Sequence, residues 1–193
     1  MPSRQTGSLR LLHRKLERAA GVALVAGAIV ALLTVTITIT SPAEARARSV
    51  AAATATDFTL PARTGEVRLA ALRGKVVYVD FWASWCGPCR SSFPWMAQLA
   101  KSYHERGFEV VAVNLDKDRA LADAFLAEHL AKSPEGFTVA FDPAGRTAGS
   151  YQVAAMPTSF VIGRDGRVLL RHAGFDARRT DDVVKRIEEA LAR

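Results

Sequence analysis

A chain of 193 residues, 49% hydrophobic and 23% charged, is long enough for one ordinary domain plus a tail and can bury a full hydrophobic core. Its formal charge of +7 is unevenly placed: residues 1–48 carry seven Lys/Arg against two Asp/Glu, while residues 49–193 carry 19 against 17. A body so near neutrality lacks the basic footprint of a nucleic-acid binder, so the basicity concerns a membrane and no nucleic-acid partner is expected.

Residues 1–18 form a basic leader, with Arg4, Arg10, Arg14, Lys15 and Arg18. Residues 19–40 then run for 22 positions without a charge. A signal-peptide core needs roughly 7–15 apolar residues and a spanning helix roughly 20. The run reaches the second length, but Thr34, Thr36, Thr38 and Thr40 weaken its end. Ala43-Glu44-Ala45 and Ala45-Arg46-Ala47 both fit a small-x-small cleavage pattern. Two readings stay open: an uncleaved membrane anchor, or a signal peptide cut near Ala45–Ala47. Both export the rest of the chain and leave the basic end in the cytoplasm. Residues 41–56 lack an apolar period and read as a flexible linker. The folded domain is expected over residues 57–193.

Within it, "DFTL" and "EVRLAAL" read as a short leading strand and hairpin. "KVVYVDFWA" is a nearly continuous run of β-branched and aromatic residues, the signature of a central strand covered on both faces. A helix is predicted from Gly87 to about Arg106, with Pro94 inside it and Gly107 stopping it. "FEVVAVNLD" predicts the next buried strand. "DRALADAFLAEHLAK" predicts an amphipathic helix with Leu121, Phe125, Leu126 and Leu130 on its apolar stripe. "FTVAFD" predicts a further strand. "TSFVIGRDGRVLLRHAGF" predicts a hairpin turning at Asp165-Gly166. The last residues predict a helix capped by Thr180 or Asp181. The order β-α-β-α-β, then hairpin and helix, gives an α/β fold with a central mixed sheet flanked by helices.

The two cysteines, Cys86 and Cys89, lie three positions apart in "DFWASWCGPCR". A disulfide there closes so small a loop that it removes little unfolded-state entropy, which argues against a structural staple. A metal site wants about four ligands, usually from a second Cys or His pair. His104, His129 and His172 are scattered, so no metal is expected. Redox exchange has a mechanism. A strand ending at Trp82 and a helix beginning after Cys86 aim backbone N–H groups and the positive helix end at the Cys86 sulfur. That lowers a thiol pKa from about 8.5 towards roughly 7 or below. Pro88 suits a first helical turn, where no N–H is needed, and Gly87 permits close approach of a substrate backbone. Cys86 is then the exposed, attacking thiol and Cys89 the inner, resolving one. Asp80, in a strand predicted to be buried, should have a raised pKa unless its charge escapes at the strand end.

"VDFWASWCGPCR" resembles the active-site strand, turn and helix of thioredoxin. "DFTL", "LRGKVVYVDFWASWC" and "FDPAGRTAGSYQVAAMPTSFVIGRDGRV", in that order, make residues 57–193 similar to the exported, membrane-tethered thioredoxin-like proteins of the TlpA and ResA type. The resemblance implies a thioredoxin-like fold with an extra αβ insert, roughly residues 116–151, before the loop of a cis-proline. It implies that Asp80 assists proton transfer for Cys89 and that Pro157 is that cis-proline. It places the Met156 backbone where an extended substrate can add as a strand. Trp85, partly exposed, is expected to shape the docking surface, while Trp82, Phe93 and Met96 pack. No cofactor is implied beyond a redox-active Cys86–Cys89 disulfide.

The activity implied is that of a protein thiol–disulfide oxidoreductase, acting as a reductant. Its substrates would be cysteine-containing exported proteins such as apocytochrome c, recharging would come from a membrane thiol-electron carrier, and the chain would be monomeric. An oxidase or isomerase is the alternative, and a peptide-binding module without catalysis is the alternative of another class. Gly87-Pro88 matches the reducing thioredoxin dipeptide and favours the first. Two departures separate the chain from many tethered relatives: Ser92 stands where they have Glu, and Asp80 where many lack Asp. A thiol peroxidase would want Thr or Ser at position 83 and Pro at 79, where this chain has Ala83 and Val79.

Overall fold

The computed structural model describes residues 53–193. The leader, the apolar run and the linker up to residue 52 lie outside the described residues. No helix among the described residues is long and apolar enough to cross a membrane.

Among the described residues seven strands and four α-helices follow one another. A hairpin of β1 (Thr59–Pro61) and β2 (Glu66–Arg68) leads, and β3 (Val76–Trp82) follows. Then come α1 (Gly87–Tyr103), β4 (Phe108–Asn114), α2 (Arg119–His129), β5 (Phe137–Phe141) and α3 (Arg146–Ser150). The chain closes with β6 (Thr158–Ile162), β7 (Val168–Ala173) and α4 (Asp181–Leu191). The five-stranded sheet has the order β5-β4-β3-β6-β7. β3 runs parallel to β4 and antiparallel to β6, so the sheet is mixed. β5, inside the expected insert, extends the sheet beyond β4 in parallel.

β3 is the centre because its seven residues are all buried, which only a strand covered on both faces can achieve. Alternation sends Val76, Tyr78, Asp80 and Trp82 to one face and Val77, Val79 and Phe81 to the other. The first face is roofed by α1, α2 and α4 through Phe93, Met96, Phe125, Leu126 and Ile187. There Trp82, Phe93 and Phe125 stack with ring centroids 4.6–5.0 Å apart. The second face is covered by the leading hairpin and α3, through Leu60, Val67, Ala148 and Tyr151. A fully buried Val, Leu, Ile, Phe or Met among them contributes about 1.5–3 kcal/mol.

Several expectations need correction. The folded body starts no later than Ala53, before Asp57: Thr54 bridges to Arg167, and the Ala55 N–H donates to Gly166 O at 2.9 Å. The helix from Gly87 does reach Arg106 and stop at Gly107, φ 83°, as expected, with its last turn, His104–Arg106, tightened to 3-10. Leu121 is 52% exposed. The buried stripe of α2 is Ala122, Phe125 and Leu126, which leaves Leu121 on the flank, while Leu130 is buried just past the helix end. Thr180 occupies the cap of α4, but its side chain makes no capping bond, and its backbone is already helical. The short α3 had no sequence expectation. Asp142 starts it, accepting from the Arg146 and Ala148 N–H groups at 3.0 Å each.

Candidate active site

The site forms where β3 ends and α1 begins. Beyond Trp82 the chain makes a turn, closed by the Cys86 N–H donating to Ala83 O at 3.1 Å. Cys86 caps α1 in an extended conformation, and a proline, Pro88, lies in the first turn as its missing N–H allows. No acidic residue lies in that turn, so nothing on the helix itself offsets the positive end facing the sulfur. Cys86 and Cys89 are joined as a disulfide, with Cα atoms 5.3 Å apart.

Cys86 is less open than expected. It is 4% exposed and Cys89 0%. The order of access is the expected one, but Cys86 packs into the apolar cluster with Trp82 and Phe93 instead of standing free. Gly87 and Pro88 beside it are exposed. Trp85, one residue before, is 70% exposed.

Asp80 is 1% exposed, so its charge does not escape at the strand end. It shares a face of β3 with Tyr78 and Trp82, the face that α1 and Cys89 cover. Its Oδ2 is buried with no hydrogen-bond partner. Burial pushes its carboxyl well above the usual range. Burial, then the neighbouring Asp80 charge, likewise pushes the Tyr78 hydroxyl well up.

The Met156–Pro157 peptide bond is cis. Pro157 is buried at the start of β6, and its carbonyl accepts from the Gly174 N–H at 2.7 Å. Met156 is half-buried against the cluster that contains both cysteines. Phe175, the residue after Gly174, packs tilted on Trp95 with ring centroids 5.5 Å apart, and Trp95 in turn meets Tyr78 at 5.7 Å. Phe175 had no part in the site as read from the sequence. A lone aromatic after a strand carries no signal until the fold brings it against Trp95.

Among the described residues no group of three or more His, Cys, Asp or Glu converges to hold a metal ion. His104, His129 and His172 are all half-buried and dispersed. A cavity of about 700 Å³ lies between the β1–β2 hairpin and β5, and no residue of the cysteine site lines it.

A family model described as Redoxin matches residues 50–191. The chain is 35% identical over 109 residues to thiol-disulfide oxidoreductase ResA of Bacillus cereus, covering 56% of this chain and 61% of that protein. It is 32% identical over 114 residues to ResA of Bacillus subtilis, covering 58% and 62%. The chain thus spans about three-fifths of the length of the curated relatives it matches. A crystal structure from Chlorobium tepidum, provisionally assigned as a thiol:disulfide interchange protein DsbE, is 53% identical. That match has a TM-score of 0.67 and covers 72% of this chain and 95% of that one. The sheet flanked by helices is a thioredoxin-like α/β fold, as the motifs around the cysteines implied.

Proposed function

The chain belongs to the Redoxin family, and from that premise we propose that it is a thiol–disulfide oxidoreductase that reduces disulfides in exported proteins. The observation that carries this reading is the Cys86–Cys89 disulfide closed across the first turn of α1, above a buried carboxyl. A bond in so small a loop does little for stability. At a helix start its sulfurs suit exchange.

In the dithiol form the Cys86 thiolate attacks one sulfur of a substrate disulfide. That S–S bond breaks, a Cys86–substrate bond forms, and the first substrate sulfur leaves and takes up a proton. Cys89 then gives its proton to Asp80, whose raised pKa lies closer to that of a thiol than an ordinary carboxylate's does. The Cys89 thiolate attacks the Cys86 sulfur, the second substrate sulfur leaves, and it takes the proton back. Two electrons and two protons have passed to the substrate, and the Cys86–Cys89 disulfide is restored. Trp85, Gly87, Pro88 and the Met156–Pro157 segment provide the surface on which an extended cysteine-containing chain docks.

The N-terminal segment would place the domain outside the cytoplasmic membrane, anchored or released by cleavage. Apocytochrome c cysteines suit as substrates, since they must be reduced outside the cytoplasm. A membrane dithiol carrier would supply two electrons per cycle, and the chain acts as a monomer. Incubation of the reduced full-length chain with a peptide disulfide tests the reading. Cys86→Ser should abolish reduction, and Cys89→Ser should accumulate a mixed disulfide with the peptide. Undiminished reduction by Cys86→Ser would defeat it.

A further inference from the structure

The turn that delivers Cys86 is gripped at one corner by a buried carboxylate that the exchange chemistry does not use. Asp116 lies two residues past the end of β4 and is 5% exposed. Its Oδ2 accepts from the Ser84 N–H at 2.8 Å, and its Oδ1 accepts from the Ser84 hydroxyl at 3.0 Å. The Asn114 side-chain amide donates to the same Oδ2 at 2.7 Å, and the Asn114 side-chain oxygen accepts from the Asp116 N–H at 3.1 Å. The Leu115 N–H donates to Trp82 O at 2.9 Å, which ties the two strand ends together just below. Asn114 is in turn fixed from β5, because its carbonyl accepts from the Asp142 N–H at 2.8 Å. Three donors thus converge on one carboxylate, and two of them belong to the residue two before Cys86.

We propose that Asp116 is a positioning residue for the redox pair: through Ser84 it holds the turn so that the Cys86 sulfur stays within reach of Cys89. This rests on the oxidoreductase reading above. The physical consequence concerns the dithiol. When the disulfide opens, the polar contacts left to hold this loop include the Ala83–Cys86 turn bond and the Asp116 contacts, beside the packing of Cys86 itself. A loop held in place gives the two thiols a high effective concentration. That favours closing the disulfide and speeds the attack of Cys89 on a mixed disulfide. Hydrogen bonds to a charged group are the stronger kind, and a buried donor left without a partner is costly, so the grip is firm.

The test uses the reduced full-length chain and two readouts corrected for the folded fraction. One is the disulfide–dithiol equilibrium in glutathione buffers. The other is the rate at which Cys89 releases glutathione from a Cys86–glutathione mixed disulfide. Asp116→Ala should shift the equilibrium about tenfold towards the dithiol, which is about 1.4 kcal/mol at 25 °C, and slow release by a similar factor. Ser84→Ala keeps the backbone N–H contact and should give about a twofold to threefold effect, with nothing added when it is combined with Asp116→Ala. Asp116→Asn keeps the volume and one acceptor oxygen, so it serves if Asp116→Ala fails to fold, and it should fall between the two. If Asp116→Asn lowers the melting temperature yet leaves both readouts indistinguishable from wild type, Asp116 is a structural clamp only. Neither readout needs a protein substrate. A wild-type chain that reduces no peptide disulfide would defeat the oxidoreductase reading while leaving the positioning question answerable.

Discussion

An ionisable carboxyl lies 1% exposed in the central strand, with one oxygen lacking any hydrogen bond. Burying it costs folding free energy that an apolar or neutral side chain would not. Its folded-state pKa is raised above the unfolded value of about 3.9. As pH rises between the two values, the native state holds more protons than the unfolded chain, so stability falls. Asp80→Asn should therefore stabilise the domain, by on the order of 1 kcal/mol or more at pH 8 and by much less near pH 4. Denaturant unfolding at the two pH values measures this, and an equal gain at both would refute it. The same variant should slow resolution of the mixed disulfide, so stability and turnover move in opposite directions. Trp85 gives a contrasting case. At 70% exposure its loss should leave the melting temperature within a degree or two, while weakening docking of a peptide disulfide by about tenfold. An unchanged KM for Trp85→Ala would remove it from the docking surface.

At the scale of the element, α2 separates periodicity from burial. Leu121 and Phe125 both lie on the predicted stripe, four residues apart, yet only Phe125 reaches the aromatic cluster with Trp82 and Phe93. Phe125→Ala should cost about 3–5 kcal/mol, and Leu121→Lys should stay within about 0.5 kcal/mol. Equilibrium unfolding of both variants checks the pair; comparable losses would mean that Leu121 packs. Helical spacing gives a stripe more than 100° wide, and residues at its edge are decided by which neighbour covers them. The same holds at Cys86. Its place at the head of a helix was legible from Trp82, Pro88 and the glycine, but its cover of packed side chains was not. The turn clamp was less legible still. "NLD" after a strand looks like any polar strand end, and Asp116 meets Ser84 only because β3 and β4 run parallel and finish level.

For the molecule as a whole, the sheet and its helices were readable because β3 is continuously apolar and Gly107 and Gly166 mark chain reversals. The disulfide pair and the strand and helix that carry it were readable because they sit in one contiguous motif. What escaped depends on contacts between segments far apart in the chain: the pairing of Thr54 with Arg167, and the approach of Phe175 to Trp95. The central claim is that these parts together make a reductant. The measurement that tests it most directly is the reduction potential of the Cys86–Cys89 pair in the full-length chain, equilibrated in thiol–disulfide buffers with free thiols trapped and counted. The account predicts a value near or below about −250 mV, in the range of thioredoxin at about −270 mV. A value above about −180 mV, towards the oxidant DsbA at about −120 mV, would contradict it.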